Sequence, residues 1–98
     1  MRNFRDYHLE KLADPKEQKR HLKVALKEYR QDGDIQAFLF ALKDISLAQG
    51  GLVYLAKKTN LNRQNLYNIF SEKGNPRLST LNVILKGLGF CFSIESLV

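Results

Sequence analysis

Arg63, Gln64, Tyr67 and Asn68 are the residues of this 98-residue chain whose types and spacing are best suited to recognition chemistry. At helical periodicity they fall, with Ser71, on one side of a helix, and Leu66, Ile69 and Phe70 cluster on the other. The polar side presents long hydrogen-bonding or aromatic side chains and no carboxylate. Gln and Asn can pair bidentately with adenine, Arg with guanine, and Tyr can reach a thymine methyl or a phosphate. This is the composition of the outer face of a helix lying in a DNA major groove. The same pattern also fits two helices packed in an ordinary bundle with a solvated polar face.

Phosphate-binding chemistry lies on either side of that face. Lys57 precedes it, Lys73 and Arg77 follow it, and the amide end of the helix at Asn62 offers backbone donors. Ser79 either joins this phosphate set or serves only to cap a later helix.

Two short helices crossing at a steep angle must hold these groups. Residues 52–71 read LVYLAKKTNLNRQNLYNIFS, with Leu55, Ala56, Leu61, Leu66, Ile69 and Phe70 at the positions such a pair buries. Ala56 is small where the helices come closest. Asn60 falls at the sharp turn and tolerates a left-handed backbone better than any residue except Gly. Asn62 is placed to cap the second helix.

The rest of the chain supplies the support. Residues 1–14, with Phe4, Tyr7, Leu9 and Leu12, read as an extended or short helical arm that tucks onto the body. Asp14-Pro15-Lys16-Glu17 is a helix start, with Asp14 as N-cap, Pro15 in the first turn and Glu17 closing a capping box. That helix runs over 15–32 with an apolar stripe of Leu22, Ala25, Leu26 and Tyr29 and ends at Gly33. Its other face is Lys16, Lys19, Arg20, Lys23, Lys27 and Arg30, either a solvated surface or a second contact for nucleic acid or an acidic partner.

Asp34 is expected to cap a helix from Ile35 to Gln49 that stops at Gly50-Gly51. Ile35, Phe38, Leu39, Leu42 and Ile45 form one apolar face, and Phe40 and Leu47 a second. A helix apolar on two sides is covered on two sides, here by the steep helix pair on one and by the 15–32 helix or a second subunit on the other. Residues 71–77 are a loop by composition. Ser79 is expected to cap a last helix with Leu81, Ile84, Leu85 and Leu88 on one face, ending at Gly89. Phe90, Phe92 and Ile94 then alternate with Cys91, Ser93 and Glu95, the pattern of a half-buried strand whose partner is the arm or its copy in a dimer.

Size and charge bound the function. The chain is long enough for one modest core and little else. Net charge is +6. Residues 1–50 carry ten Lys/Arg against eight Asp/Glu, and residues 51–98 carry six against two. The excess therefore lies in the half that holds the steep helix pair, where it attracts phosphate or an acidic protein. No apolar run approaches the roughly 20 residues of a membrane span, and the N-terminus lacks a signal-peptide core. The expectation is a soluble, cytoplasmic protein with no membrane partner. Cys91 is the lone cysteine, expected to be small and half-buried, and His8 and His21 have no companion ligands, so no metal site or cofactor is expected. No nucleophile–base arrangement, paired carboxylates or phosphate loop marks an enzyme.

Gly51-Leu52, Leu55-Ala56, Leu61, Asn65-Leu66-Tyr67, Ser71, Gly74-Asn75-Pro76-Arg77-Leu78-Ser79-Thr80-Leu81 and Leu88-Gly89 together resemble the probable addiction module antidote proteins. These are HigA-like helix-turn-helix antitoxins of bacterial type II toxin–antitoxin modules. Asp44-Ile45 and the Tyr-plus-Leu arm also match, so the resemblance covers nearly the whole chain. LYNIFS followed by GNPRLSTL is its most specific part. Members usually place Ser or Thr and a polar residue where this chain has Val53 and Tyr54. The first motif helix therefore lacks a side-chain cap, and the polar phosphate-contacting position becomes Tyr54, whose hydroxyl can still donate.

The resemblance implies two activities: autorepression at an operator overlapping its own promoter, and silencing of a small RelE-like ribonuclease toxin. No motif marks the toxin-binding surface. The expected architecture is an all-α, five-helix, lambda-repressor-like helix-turn-helix domain with a short C-terminal β-strand. Its parts are an arm (1–14), an accessory helix (15–32), a helix-turn-helix core (34–89) and a terminal strand (90–96). It would act as a homodimer on double-stranded operator DNA. A toxin-free phage-type repressor, or a protein-interaction module built on Phe40/Leu47 or the basic helix, are the alternatives. A neighbouring gene for a short basic toxin would separate the antitoxin from the phage-type repressor.

Overall fold

A computed structural model describes residues 9–98. Phe4, Tyr7 and His8, and with them most of the expected arm, lie outside the described residues. After a helical turn at residues 9–11 come five helices: α1 (Pro15–Asp32), α2 (Gln36–Ala48), α3 (Leu52–Thr59), α4 (Arg63–Ile69) and α5 (Leu78–Leu88).

The first helix starts as the sequence predicts, with one exception. Asp14 accepts a hydrogen bond from Lys16 N–H at 2.9 Å, and Gly33 closes the far end in a left-handed conformation. Glu17 does not close a capping box. The Asp14 N–H donates instead to the Lys11 carbonyl (3.4 Å), and Glu17 turns outward to Arg20 (3.8 Å) and Lys11 (4.0 Å). The chain enters α1 through a turn that already uses the amide the box would have satisfied.

The second helix is the centre of the fold. Phe38, Leu39, Leu42 and Ile45 are almost fully buried, and α2 packs against α1, α3 and α5. The helix starts one residue later than expected, with Ile35 at the N-cap position and no side-chain cap there; Asp34, one residue earlier, accepts from the Gln36 N–H at 2.9 Å. The expected second apolar face is in large part exposed, with Phe40 56% and Leu47 39% exposed. The glycine pair 50–51 has positive φ at both residues (130° and 96°), a route closed to most side chains. It turns the chain through 96° between α2 and α3. Among the described residues, no single helix is long and apolar enough to cross a membrane.

Leu22 and Ala25 seat α1 on this core, whereas Leu26 and Tyr29 sit at its margin. Leu55, Leu66, Leu81, Ile84, Leu85 and Leu88 complete it. Burying a side chain of this size contributes roughly 1.5–3 kcal/mol, so the leucines alone account for much of the driving force. Two polar links cross the core. His21 Nε2 lies 3.6 Å from Oδ2 of the fully buried Asp44, tying α1 to α2. Gln49 Nε2 donates to Gln18 Oε1 (3.0 Å) and to the Leu88 carbonyl (2.8 Å), while Gln18 Nε2 donates to the Leu12 carbonyl (2.8 Å). Two glutamines thus join the lead-in turn, α1 and the ends of α2 and α5.

Three further expectations are corrected. Ser79 is not the cap of α5. Arg77 is already extended (ψ 156°) and its carbonyl accepts the first helical bond from Leu81 N–H, so Ser79 is one residue inside the helix and exposed. The strand over 90–96 does not form; the described residues contain no strand. A strand needs a ladder partner, and only Phe90 and Phe92 reach the core. Cys91, expected to be half-buried, is exposed.

Candidate nucleic-acid interface

The fourth helix presents the candidate face. Leu66 is completely buried and Ile69 and Phe70 are half-buried, which fixes the rotation of α4 about its axis. Arg63, Gln64, Tyr67 and Asn68 then all project outward and are exposed. Gln64 Nε2 lies 3.4 Å from Asn68 Oδ1, a one-turn link that holds two amides side by side. Asn62 accepts from the Gln64 N–H at 2.7 Å, the predicted cap. Its oxygen is therefore used in building the helix.

The turn before α4 is fixed by several groups. Asn60 has φ 59° and ψ 18°, the left-handed conformation that its position demanded. Thr59 Oγ1 donates to the Leu55 carbonyl (2.8 Å) and accepts from the Leu61 N–H (3.3 Å). Gly87, inside α5, abuts this end of α3. A Cβ there would come within 2.6 Å of Thr59 Cγ2 and 3.1 Å of Leu55 Cδ1. Thr59 and Gly87 thus position the turn, a role that sequence reading did not assign. An isolated glycine within a helical pattern was the one available signal.

The loop after α4 is equally constrained. Gly74 is buried, and a Cβ on it would overlap the Ile69 carbonyl oxygen. Its own carbonyl accepts from Gln36 Nε2 at 3.2 Å, which binds the loop to the start of α2. Ser71 Oγ donates to the Asn68 carbonyl at 2.7 Å. Lys73 and Arg77 are exposed on this anchored loop, and Ser79 is exposed just beyond it.

On α3, Lys57 and Tyr54 are exposed. No side chain caps the helix at Gly51, in keeping with Val53 and Tyr54 at its start. The Tyr54 ring packs beside Gly50, where an added Cβ would lie 3.3 Å away, and Lys58 Nζ sits 5.2 Å above the ring centre. Such a cation–π contact contributes about 0.5–1 kcal/mol at an exposed site and orients a lysine that sequence reading passed over. The four base-reading candidates thus share one helix face. The phosphate candidates are divided between α3, the α4 cap and the following loop.

The model for the family described as "Probable addiction module antidote protein" matches residues 8–96. The chain belongs to that family. An uncharacterized protein of Haemophilus influenzae is 30% identical over 74 residues, spanning 76% of this chain and 75% of the relative. No solved structure matches. Membership of the antidote family assigns the chain the antitoxin half of an addiction module and implies a toxin as its partner.

Proposed function

We propose that this antidote protein is a sequence-specific DNA-binding antitoxin of the cytoplasm that represses its own operon and neutralises a RelE-like ribonuclease toxin. The observation that carries the DNA half is the outward face of α4. Four side chains able to read base edges are exposed together on a helix whose rotation Leu66 fixes. A homodimer sets two copies of α4 into successive major grooves about 34 Å apart on a palindromic operator. Arg63, Gln64, Tyr67 and Asn68 read bases. Lys57, Lys73 and Arg77 hold phosphates, with Tyr54, Asn62 and Ser79 at the edge of the footprint.

The test compares Gln64→Ala with the parent on the operon's own upstream DNA and on random DNA. Losing a bidentate base contact costs about 1–3 kcal/mol, so operator binding falls roughly 5- to 150-fold while random-DNA binding is nearly unchanged. An equal loss on both would remove Gln64 from base reading.

A further inference from the structure

Helix α1 separates its charges by side. At about 100° per residue, Lys16, Lys19, Lys23, Lys27 and Arg30 fall within an arc of about 80°. Glu17, Glu28 and Asp32 lie on the far side of the same helix. All of these bases are exposed. Among the described residues none of them pairs with a carboxylate, and Glu17 meets Arg20 (3.8 Å) and Lys11 (4.0 Å) instead. At 1.5 Å per residue the row spans about 21 Å, roughly one positive charge every 5 Å. Such a row repels itself and adds nothing to the fold, because Leu22 and Ala25 already seat α1 on the core.

The row borders a groove of about 680 Å³ between α1 and the end of α5. Lys19, Lys23, Leu22 and Leu26 line it from α1, and the half-buried rings of Phe90 and Phe92 line it from the segment after α5. Ser93 supplies the one hydroxyl of the lining, and that hydroxyl makes no hydrogen bond among the described residues. The candidate DNA face belongs to α4, which packs on α3, whereas α1 packs on α2.

We propose that this groove is a second nucleic-acid site, which binds single-stranded RNA without sequence preference. It goes beyond both DNA recognition through α4 and neutralisation of a toxin. A row of unpaired bases tracks a phosphate backbone, and aromatic rings beside it take the faces of unstacked nucleobases. A duplex keeps its bases stacked and has no use for Phe90 and Phe92. An acidic peptide would meet only Lys19 and Lys23. The positive row runs past the groove to Lys16 at one end and to Lys27 and Arg30 at the other, where a chain charged at every unit is still held. No acid, Asn or Gln lines the groove, so nothing there reads base edges. The free Ser93 hydroxyl gives the ribose 2′-hydroxyl a partner, which selects RNA over DNA.

The experiment is fluorescence anisotropy of the full chain with labelled 20-nucleotide oligouridylate, oligothymidylate and a random 20-base-pair duplex, across salt. The variants are Lys19→Gln/Lys23→Gln, Phe92→Leu and, on α4, Gln64→Ala. Both lysines are exposed, so the double variant keeps the parent's circular dichroism and melting point. The parent should bind oligouridylate more tightly than oligothymidylate. The lysine variant should bind oligouridylate at least tenfold more weakly, with the slope of log affinity against log salt reduced by about 1.4. Phe92→Leu should weaken it at least fivefold with the slope unchanged. Neither change should alter duplex binding, and Gln64→Ala should leave oligouridylate binding intact, so failure of the α4 reading is separable. A parent that ignores oligouridylate, binds oligothymidylate equally well, or prefers an amphipathic Glu/Leu peptide overturns the proposal, the last in favour of an acidic protein partner. An unchanged slope in the lysine variant overturns it as well.

Discussion

Gly74→Ala isolates the packing that places the candidate interface. Gly74 is not among the glycines with positive φ, so alanine meets no conformational barrier there. The obstacle is steric. The new Cβ would overlap the Ile69 carbonyl oxygen and lie 3.1 Å from the Asn68 carbonyl oxygen. Both are backbone atoms of the last turn of α4, so neither can swing aside as a flexible side chain would. The loop must lift, or the turn must unwind, and the Gln36–Gly74 bond (3.2 Å) is strained in either case. Overpacking of this kind costs about 1–3 kcal/mol. For a domain of this size each kcal/mol lowers the melting point by roughly 4–8 °C, so a drop of about 4–24 °C is expected.

Gly33→Ala is the matched control. Gly33 has φ +73° but open space around a Cβ, so alanine there costs about 1–2 kcal/mol through backbone conformation alone. Both variants lose stability in a thermal melt followed by circular dichroism. Only Gly74→Ala displaces Lys73, Arg77 and the end of α4. At a temperature where both are fully folded, Gly74→Ala should therefore bind operator more weakly than the parent, and Gly33→Ala should match it. An unchanged melting point for Gly74→Ala, or equal operator affinity for all three proteins, would refute the steric argument.

Three other substitutions test separate links. Arg77→Ala removes an exposed side chain that caps nothing, so the fold stands while the slope of log affinity against log salt falls by about one; an unchanged slope takes Arg77 out of the phosphate set. Gln49→Leu cuts the link among α1, α2 and α5 and leaves two buried acceptors unpaired, lowering stability in denaturant titration by about 1–3 kcal/mol; a neutral result would mean that water replaces the amide without cost. Leu66→Ala empties a fully buried site under α4 and should cost about 2–5 kcal/mol; a loss below 1 kcal/mol would mean that the helix is not anchored there.

What the sequence made legible was local. Asn60 and Asn62 took the predicted left-handed and capping roles because each needs only its own backbone and a neighbour two residues away. The core faces of α2 and α5 followed from periodicity, which burial enforces. Capping by Ser79 and Glu17 failed through register. The start of α5 lies two residues earlier than expected, and the Asp14 amide that Glu17 would have satisfied had already found another acceptor. The terminal strand failed because alternation specifies a face but not a partner. Gln18, Gln36, Gln49 and Gly87 were illegible because their roles are set by atoms 28–39 residues away in several cases, and a glutamine that bridges elements has no periodic signature. The exposed polar face of α4 was legible because its polar side chains sit opposite an apolar triad on one short helix.

The measurement that tests the central claim most directly is binding of the purified full chain to the DNA upstream of its own operon and to a scrambled sequence of equal length, titrated across salt. The account predicts tight, specific binding to the upstream DNA, at Kd of about 10⁻⁸ M or below at physiological salt, with a steep salt dependence from several phosphate contacts. Equal, weak binding to both sequences would contradict it and leave the α4 face as the surface of an ordinary helix pair.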